Sequence, residues 1–327
     1  MSRQFDLTAL GELLIDFTPA GKSAKGMELF ERNPGGAPAN VLAAYNKLGG
    51  NTAFIGKVGD DAFGHFLADT VNSYGINTDN LLFDPEIPTT LAFVTLDGKG
   101  DRSFSFYRKP GADIMLRKDE VSKELLENTD IFHFGSVSMT DDPAWSATFF
   151  AADYARRNGA ITSYDPNYRP LLWKDESDAV IRMTEGLEYG DIVKVSDEEM
   201  TLMTGKTDID AGAEKILRYG ADIVYVSMGA KGSFCATKKH SVRLETYDVK
   251  TIDTTGAGDA FLGAILHRLH GKTRDDIADI SLEEMTDILD YANAAGSVTT
   301  TRTGAAVAVP TEEEIEECRR TVPKLKI

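Results

Sequence analysis

Residues 253–266 combine two glycines and an acidic residue at the start of an apolar, helix-like segment. Gly256 and Gly258 carry no side chain, so the backbone there can approach a ligand closely, and the first N–H groups of the helix would point at that ligand. Such a group of donors favours anions, phosphate above all. Asp259 would repel a bare phosphate, which indicates that its carboxylate accepts a proton from a hydroxyl attacking phosphorus. The segment therefore predicts phosphoryl transfer.

A second glycine cluster, Gly35-Gly36, precedes a predicted helix near the start of the chain. Two adjacent glycines can bring backbone N–H groups against a substrate, and Asn40 can donate to and accept from hydroxyl groups. Asp16 closes the first predicted strand, where the carboxyl end of a parallel strand would face a ligand crevice. A carboxylate there can accept hydrogen bonds from two vicinal hydroxyls of a sugar. An ordinary turn explains either feature at least as well when it is taken alone.

Three familiar nucleotide-binding patterns do not fit this sequence. Gly-Lys followed by Ser or Thr occurs at 21–23, 205–207 and 271–273, but the leading glycine of a P-loop is missing each time. The glycines of 256–263 miss the spacing of a dinucleotide fingerprint. The protein-kinase motifs H-R-D and D-F-G are absent. Phosphoryl transfer must therefore use another scaffold.

The composition is that of a globular protein with an acidic balance. Of 327 residues, 42% are hydrophobic, and 52 acidic against 35 basic residues give a formal net charge of -17. This charge disfavours partners such as nucleic acid or an anionic membrane, so an anionic ligand must be held locally, with the help of a metal ion. Cys235 and Cys318 are expected to be reduced thiols. The sequence has no run of 18 apolar residues and no secretory leader pattern, which predicts a cytoplasmic protein.

Short β-rich runs alternate with helical segments, which predicts an α/β fold with a doubly wound, mostly parallel sheet and helices on both faces. The predicted strands cover 5–15, 52–58, 131–136, 161–165, 191–196 and 222–228. The predicted helices cover 39–48, 63–74, 145–157, 211–219, 259–269 and 284–298, and several are followed by glycine. Ligand loops are expected at the sheet ends.

Two segments break this alternation. Residues 89–108 have the alternating pattern of a β-hairpin around Asp97-Gly98-Lys99-Gly100. Residues 17–34 interrupt the first crossing from strand to helix. Together they predict a small sheet that stands off the main domain as a lid.

The stretch from Gly35-Gly36 to Asn40 and the motif Asp253-Thr-Thr-Gly-Ala-Gly-Asp259 resemble the two signatures of the ribokinase-like (PfkB) carbohydrate kinases. They stand in the family's order near the two ends of the chain. The resemblance implies one ribokinase-like kinase domain over 1–327, with a small β-sheet lid from approximately 17–34 and 89–113. It also implies a homodimer that clasps through the lid.

The resemblance assigns roles to residues on both sides of the reaction. Asp259 is the expected base for the sugar's primary hydroxyl, and the N–H groups of Gly256, Ala257, Gly258 and Asp259 would neutralise charge on the γ-phosphate. The expected sugar contacts are Asp16, Gly35, Gly36, Asn40, Arg108 and Asp259. The expected nucleotide contacts are Arg169, Ser196, Glu199, Ser227, Gly229, Gly232, Gly256, Gly258 and Asn293, with Asn293 near the adenine. For Arg108 the alternative is a solvated surface charge.

ATP and Mg²⁺ are the expected cofactors, with K⁺ as a further candidate. Where many relatives carry Asn-x-x-Glu, this chain has Ser196-Asp-Glu-Glu199. Glu199 is expected to reach Mg²⁺ through water, and the alternative is a capping box between Ser196 and Glu199 at a helix N-terminus. A monovalent cation would draw on Asp253, Thr255, Thr299, Arg302, Gly304 and Ala308.

The segments 11–16, 106–113, 165–169 and 194–199 resemble the fructokinase branch of the family. The implied activity is phosphotransfer to an alcohol group, converting ATP and D-fructose into ADP and D-fructose 6-phosphate. The close alternative is 2-keto-3-deoxygluconate kinase, with ribokinase and adenosine kinase behind it. An alternative of a different class is a catalytically silent relative that senses sugar.

Overall fold

The computed structural model describes residues 3–96 and 102–326, in which thirteen strands form two sheets. In chain order the strands are β1 (Phe5–Leu10), β2 (Leu14–Lys22), β3 (Glu28–Gly35), β4 (Thr52–Gly59), β5 (Asn77–Asp84), β6 (Leu91–Leu96), β7 (Arg102–Tyr107), β8 (Thr129–Gly135), β9 (Ile161–Asp165), β10 (Ile192–Ser196), β11 (Ile223–Ser227), β12 (Ser233–Ala236) and β13 (Ser241–Leu244).

The main sheet has nine strands in the order β13-β12-β11-β10-β9-β8-β1-β4-β5. All neighbours are parallel except β11–β12 and β12–β13, which are antiparallel. Its inner strands are apolar on both sides, and every residue of β4 and β9 is buried, because helices cover both faces. The predicted doubly wound α/β fold is confirmed.

Eleven helices occur in the described ranges. They are α1 (Ala37–Lys47), α2 (Ala62–Ser73), α3 (Lys123–Glu127), α4 (Ala144–Arg157), α5 (Glu176–Gly186), α6 (Asp197–Thr204), α7 (Ile209–Leu217), α8 (Ala257–Leu269), α9 (Arg274–Ala278), α10 (Leu282–Thr299) and α11 (Glu312–Thr321). Helices α1, α8 and α10 bury apolar residues in one large core cluster, and α4, α5 and α7 do so in another, so the sheet separates two cores. None of the eleven has the length and apolar composition that a membrane span requires.

The small sheet has the order β3-β2-β6-β7. Strands β6 and β7 pair antiparallel, as the hairpin prediction requires, and the predicted turn Asp97-Gly98-Lys99-Gly100 lies outside the described residues. Strand β2 pairs with β3 antiparallel and with β6 parallel, so the two irregular segments of the sequence meet in one sheet. Aromatic rings pack between the two segments, and the ring of Phe17 stacks on that of Phe93 at 4.7 Å between centroids.

The first predicted strand is divided in the structure, and this corrects the position of Asp16. Strand β1 ends at Leu10, and the chain turns at Gly11, where a Cβ atom would lie 2.5 Å from Cγ of Pro38. It then enters the small sheet as β2, in which Asp16 is the third residue. Asp16 therefore does not close a strand of the main sheet. The hydrophobic pattern does not reveal the break between β1 and β2, because the residues on both sides of it are apolar and buried.

The sequence does not predict the edge strands β5 and β13. Only Leu81 of β5 is buried, and β13 has no buried residue, so neither shows the apolar run of an inner strand. Polar strands at a sheet edge carry little periodic signal, since one side faces solvent.

Candidate active site

Helix α8 begins at the anion-binding motif that the sequence predicts. Its N-cap, Gly256, has the left-handed φ of 76°, and a Cβ atom there would lie 2.7 Å from Cα of Ala305, so only glycine fits. The first N–H groups of an α-helix have no carbonyl partner within the helix. Here they face two neighbouring pockets, both of which include Gly258 and Thr254 in their walls. The helix N-terminus can therefore hold an anion between two ligands.

The first pocket has a volume of about 490 Å³ and lies between the main sheet and the small sheet. It brings together the predicted catalytic loop and most of the predicted sugar contacts. Its lining comprises Glu12, Leu14, Asp16, Gly36, Ala37, Asn40, Phe106, Val137, Asn167, Arg169, Leu172, Lys194, Thr254, Thr255, Gly256, Gly258 and Asp259.

Asp259 lies in the first turn of α8 and is almost fully buried. Asn40 Nδ2 donates to its Oδ2 at 2.9 Å, and Asn167 Nδ2 approaches its Oδ1 at 3.4 Å. Burial raises the pKa of Asp259 to about 6, although the hydrogen bond from Asn40 and the charge of Lys194 act in the opposite direction. A carboxylate with a pKa this close to neutrality is suited to accept a proton from a hydroxyl.

Lys194 places a positive charge beside the anion-binding loop. Its Nζ donates to Asp165 Oδ2 at 2.8 Å, and it lies 3.2 Å from where a Cβ atom on Gly258 would be. Burial disfavours the ammonium ion, but the carboxylates of Asp165, Glu199 and Asp259 raise the pKa of Lys194 above its ordinary value. The side chain is therefore charged at neutral pH and can neutralise a transferring phosphoryl group.

No motif in the sequence predicts a role for Lys194, Asn167 or Glu12. Lys194 interrupts the apolar strand β10, and a lysine in a strand that helices cover on both faces is itself an indication of a functional role. Asn167 has the left-handed φ of 49°, a conformation that asparagine tolerates better than most residues, and this turns its amide towards Asp259. These assignments require the fold, since the residues come from distant parts of the chain.

Glu12 and Asp16 bring two further carboxylates to the pocket. Glu12 Oε1 accepts from the N–H of Ala37 at 2.8 Å and so anchors the start of α1. Burial raises the pKa of Glu12 to about 7 and that of Asp16 to about 6, with the charge of Arg169 opposing both shifts. Both groups can accept hydrogen bonds from hydroxyls of a bound polyol.

The glycine pair packs tightly against these carboxylates. Gly36 has a φ of 131°, and a Cβ atom there would lie 2.4 Å from the carbonyl oxygen of Glu12. Gly35 is not part of the pocket lining, and a Cβ atom on it would lie 2.2 Å from Asp16 Oδ2. Gly36 thus faces the pocket, whereas Gly35 leaves room for the Asp16 side chain.

Replacing Gly36 with alanine is expected to raise the KM for the sugar at least tenfold, because Glu12 and the start of α1 must move. The measurement is steady-state kinetics with the sugar varied. Gly49→Ala is the matched control, since Gly49 also has a positive φ of 98° but its Cβ atom would meet open space. The control is expected to lose about 1 kcal/mol of stability and to keep its KM. An unchanged KM in Gly36→Ala would contradict this description of the pocket.

The second pocket has a volume of about 480 Å³ and contains five predicted nucleotide contacts, Ser227, Gly229, Gly232, Gly258 and Asn293. Its walls combine glycines and apolar residues with many hydroxyl-bearing side chains, as expected for a base and ribose. Gly232 has a φ of 88°, and a Cβ atom there would lie 2.0 Å from the carbonyl oxygen of Leu244. Asn293 is held by Ser233, whose hydroxyl donates to its Oδ1 at 2.8 Å.

Arg108 does not line either of these pockets. Its guanidinium pairs with Asp113 at 2.7 Å and donates to Thr140 Oγ1 at 2.7 Å and to the carbonyl of Val137 at 3.0 Å. The side chain is only 4% exposed, so it is not a solvated charge either. Arg169, in contrast, is an exposed residue that lines the first pocket.

Ser196 and Glu199 form the capping box of α6, which was the alternative interpretation of this motif. Glu199 Oε2 accepts from the N–H of Ser196, and its Oε1 accepts from the N–H of Tyr168 at 2.7 Å. Both carboxylate oxygens therefore bind backbone groups, and neither residue lines the two pockets.

The residues expected around a monovalent cation are partly brought together. Asp253 Oδ1 accepts from Thr255, and its Oδ2 accepts from the N–H of Gly304 at 3.1 Å, so one carboxylate joins two loops. Thr299 and Ala308 lie at the ends of neighbouring helical segments. The side chain of Arg302 forms an ion pair with Glu314. Oxygen atoms of these loops suit a hard cation.

Comparison with known proteins agrees with this geometry. The pfkB family carbohydrate kinase sequence pattern matches residues 4–312. A fructokinase from Solanum tuberosum is 41% identical over 94% of this chain and 93% of its own. The crystal structure of fructokinase with bound ATP from Xylella fastidiosa has a TM-score of 0.89 and 33% identity, covering 96% of this chain and 98% of that chain.

A double-mutant fructokinase from Vibrio cholerae, crystallised with fructose, ADP and potassium ion, has a TM-score of 0.85 and 32% identity. The similarity covers 97% of this chain and 99% of that chain. The match thus extends over both sheets and both pockets. The chain belongs to the pfkB family of carbohydrate kinases.

Proposed function

We propose that this protein is an ATP-dependent fructokinase, which converts ATP and D-fructose into ADP and D-fructose 6-phosphate. One observation carries the proposal: the buried carboxylate of Asp259 lies at the N-terminus of α8, where the first and second pockets adjoin. Relatives named as fructokinases, over almost the full length of the chain, support the choice of sugar.

In the proposed mechanism Asp259 accepts the proton of the sugar's primary hydroxyl as its oxygen attacks the γ-phosphorus of ATP. The oxygen–phosphorus bond to ADP breaks as the new bond forms. The N–H groups of Gly256, Ala257, Gly258 and Asp259, together with the Lys194 ammonium, stabilise the charge on the transferring group. Asn40 and Asn167 keep the carboxylate oriented.

The charge of the first pocket favours a neutral sugar over an acidic one. Burial raises the pKa of Glu12, Asp16 and Asp259, and the same burial would disfavour a further negative charge in this pocket. The carboxylate of 2-keto-3-deoxygluconate would add a fourth acidic group to the pocket. Arg169 is exposed at the pocket and offsets this repulsion only partly.

Metal ions and assembly complete the proposal. Mg²⁺ would neutralise phosphate charge when bound with ATP, coordinated mainly by phosphate oxygens and waters. Because both oxygens of Glu199 bind backbone N–H groups, this residue would reach Mg²⁺ only through a water. A potassium ion near Asp253 would order the loop that precedes α8.

The small sheet would act as a lid over the sugar and join two chains in a homodimer. The cytoplasmic location stays a prediction.

A panel of sugars, with ATP and Mg²⁺, tests the proposed substrate. The expected result is a kcat/KM for D-fructose at least tenfold above those for 2-keto-3-deoxygluconate, D-ribose and adenosine. Equal or better turnover of another sugar would overturn the choice of fructose. Binding of fructose and ATP without turnover would identify a sugar sensor instead.

Asp16→Asn is expected to raise the KM for fructose about tenfold or more, since a hydrogen bond to a charged group contributes roughly 1.5–3 kcal/mol.

A further inference from the structure

A second cluster of ligating side chains lies at the opposite end of the main sheet from Asp259. Asp6 and Asp130 are the second residues of the adjacent parallel strands β1 and β8, and His270 caps the C-terminus of α8. Helix α8 therefore extends from the proposed active site to this cluster, and a helix of this length measures roughly 20 Å. The cluster plays no part in the proposed kinase reaction.

The two distances from His270 to the carboxylates are close to those between ligands of a tetrahedral metal ion. His270 Nε2 lies 3.5 Å from Asp6 Oδ1 and 3.5 Å from Asp130 Oδ2. All three ligand atoms lie within 4.8 Å of one another. A tetrahedral ion with ligands at roughly 2.1 Å places neighbouring ligand atoms about 3.4 Å apart. His270 thus already lies at nearly the required distance from each carboxylate, and a small movement of the two carboxylates would complete the set.

Other groups contact the second oxygen of each carboxylate, which leaves Asp6 Oδ1 and Asp130 Oδ2 to bind a metal ion. Asp6 Oδ2 accepts from the N–H of Asn51 at 2.8 Å. Asp130 Oδ1 faces Arg3 Nε at 3.8 Å. Contacts of this kind orient ligands in metal sites. They direct Asp6 Oδ1 and Asp130 Oδ2 towards His270.

A buried phenol provides an independent indication of a missing ligand. Tyr45 is 0% exposed, and its hydroxyl has no hydrogen-bond partner among the described residues. Its ring lies edge-on to that of His270, at 6.4 Å between centroids. Burial raises the pKa of Tyr45, and the charges of Asp6 and Asp130 raise it further, as expected for a phenol in the neighbourhood of these carboxylates. A water on a metal ion would give this hydroxyl a partner.

We propose that Asp6, Asp130 and His270 bind a Zn²⁺ ion, with a water as the fourth ligand hydrogen-bonded to Tyr45. One imidazole and two carboxylates suit Zn²⁺, and the C-terminus of α8 adds the favourable negative end of a helix dipole. The ion would tie β1, β8 and the end of α8 together. The alternative is a protonated His270 that forms ion pairs with both carboxylates.

Calorimetric titration of the nucleotide-free chain with Zn²⁺ tests this proposal, with Co²⁺ absorption as a report of geometry. We expect one Zn²⁺ per chain and the strong visible bands of tetrahedral Co²⁺. His270→Ala and Asp130→Asn are expected to weaken binding at least a hundredfold, and Tyr45→Phe about tenfold. His65→Ala is the matched control, since His65 Nε2 faces the single carboxylate of Asp60 at 2.8 Å, and it should bind as the wild type does.

Absence of saturable Zn²⁺ binding would overturn the proposal and leave His270 as an ion-pair partner. Undiminished binding in His270→Ala, or the weak bands of octahedral Co²⁺, would overturn it as well. Circular dichroism would verify that each variant is folded. Because none of these measurements uses kinase turnover, their outcome is independent of the proposed fructokinase activity.

Discussion

Asp259→Asn is expected to lower kcat for fructose by about 10³-fold, within the 10²–10⁴ that general base catalysis contributes. The amide preserves the shape of the carboxylate and the approach of Asn40, but it cannot accept the proton of the attacking hydroxyl. The KM values for fructose and ATP should change little. Initial rates of ADP formation measure the effect, and calorimetry with each substrate checks that both pockets still bind.

Two accompanying measurements distinguish lost chemistry from lost folding. Because the pKa of Asp259 is raised to about 6, above that of an unfolded aspartate, its contribution to stability is present at low pH and is lost as the pH rises through 6. At pH 8 the buried charge destabilises the wild type. The melting temperature of Asp259→Asn at pH 8 should therefore equal or exceed that of the wild type. A lower melting temperature would attribute the lost activity to misfolding.

Lys194→Met is expected to lower kcat by about 10²-fold or more, the usual effect of losing one donor that stabilises transition-state charge. Its ammonium lies beside Gly258, at the loop that would hold the γ-phosphate. Removal also leaves Asp165 as a buried carboxylate without its partner, at a cost of about 3–5 kcal/mol in stability. Lys194→Met with Asp165→Asn should recover stability without recovering kcat. Steady-state kinetics and chemical denaturation measure the two effects.

Lys57→Met is the matched control for this variant. Lys57 is also a buried lysine in the main sheet, and it pairs with Glu120 at 2.7 Å away from both pockets. This control should lose comparable stability and retain kcat. If Lys57→Met and Lys194→Met lower kcat equally, Lys194 has only a structural role.

The sequence was sufficient where function depends on local backbone geometry. The glycines before Asp259, and Asn40 after Gly36, are distant in sequence, but the structure brings them to the wall of one pocket. The sequence predicts a ligand site there because glycine, amide and carboxylate groups at a helix N-terminus have few other uses together. The fold could be predicted for a similar reason, since a doubly covered sheet requires long apolar strands between helices.

The sequence was insufficient where a side chain acts through a distant partner. Arg108 was expected at the sugar, but Asp113, Thr140 and Val137 occupy its guanidinium. Lys194 in β10 and Asn167, which follows β9, converge on Asp259 only because these two strands are neighbours in the main sheet. Such pairings depend on tertiary packing, which no local pattern encodes.

The most direct test of the proposed reaction is the formation of fructose 6-phosphate by the wild type and Asp259→Asn in the same assay, with ATP and Mg²⁺. The wild type is expected to form one fructose 6-phosphate for each ADP, and Asp259→Asn about a thousandth of that rate. Failure of the wild type to phosphorylate fructose would contradict the proposed substrate. An equal rate in Asp259→Asn would contradict the proposed role of Asp259 as the base.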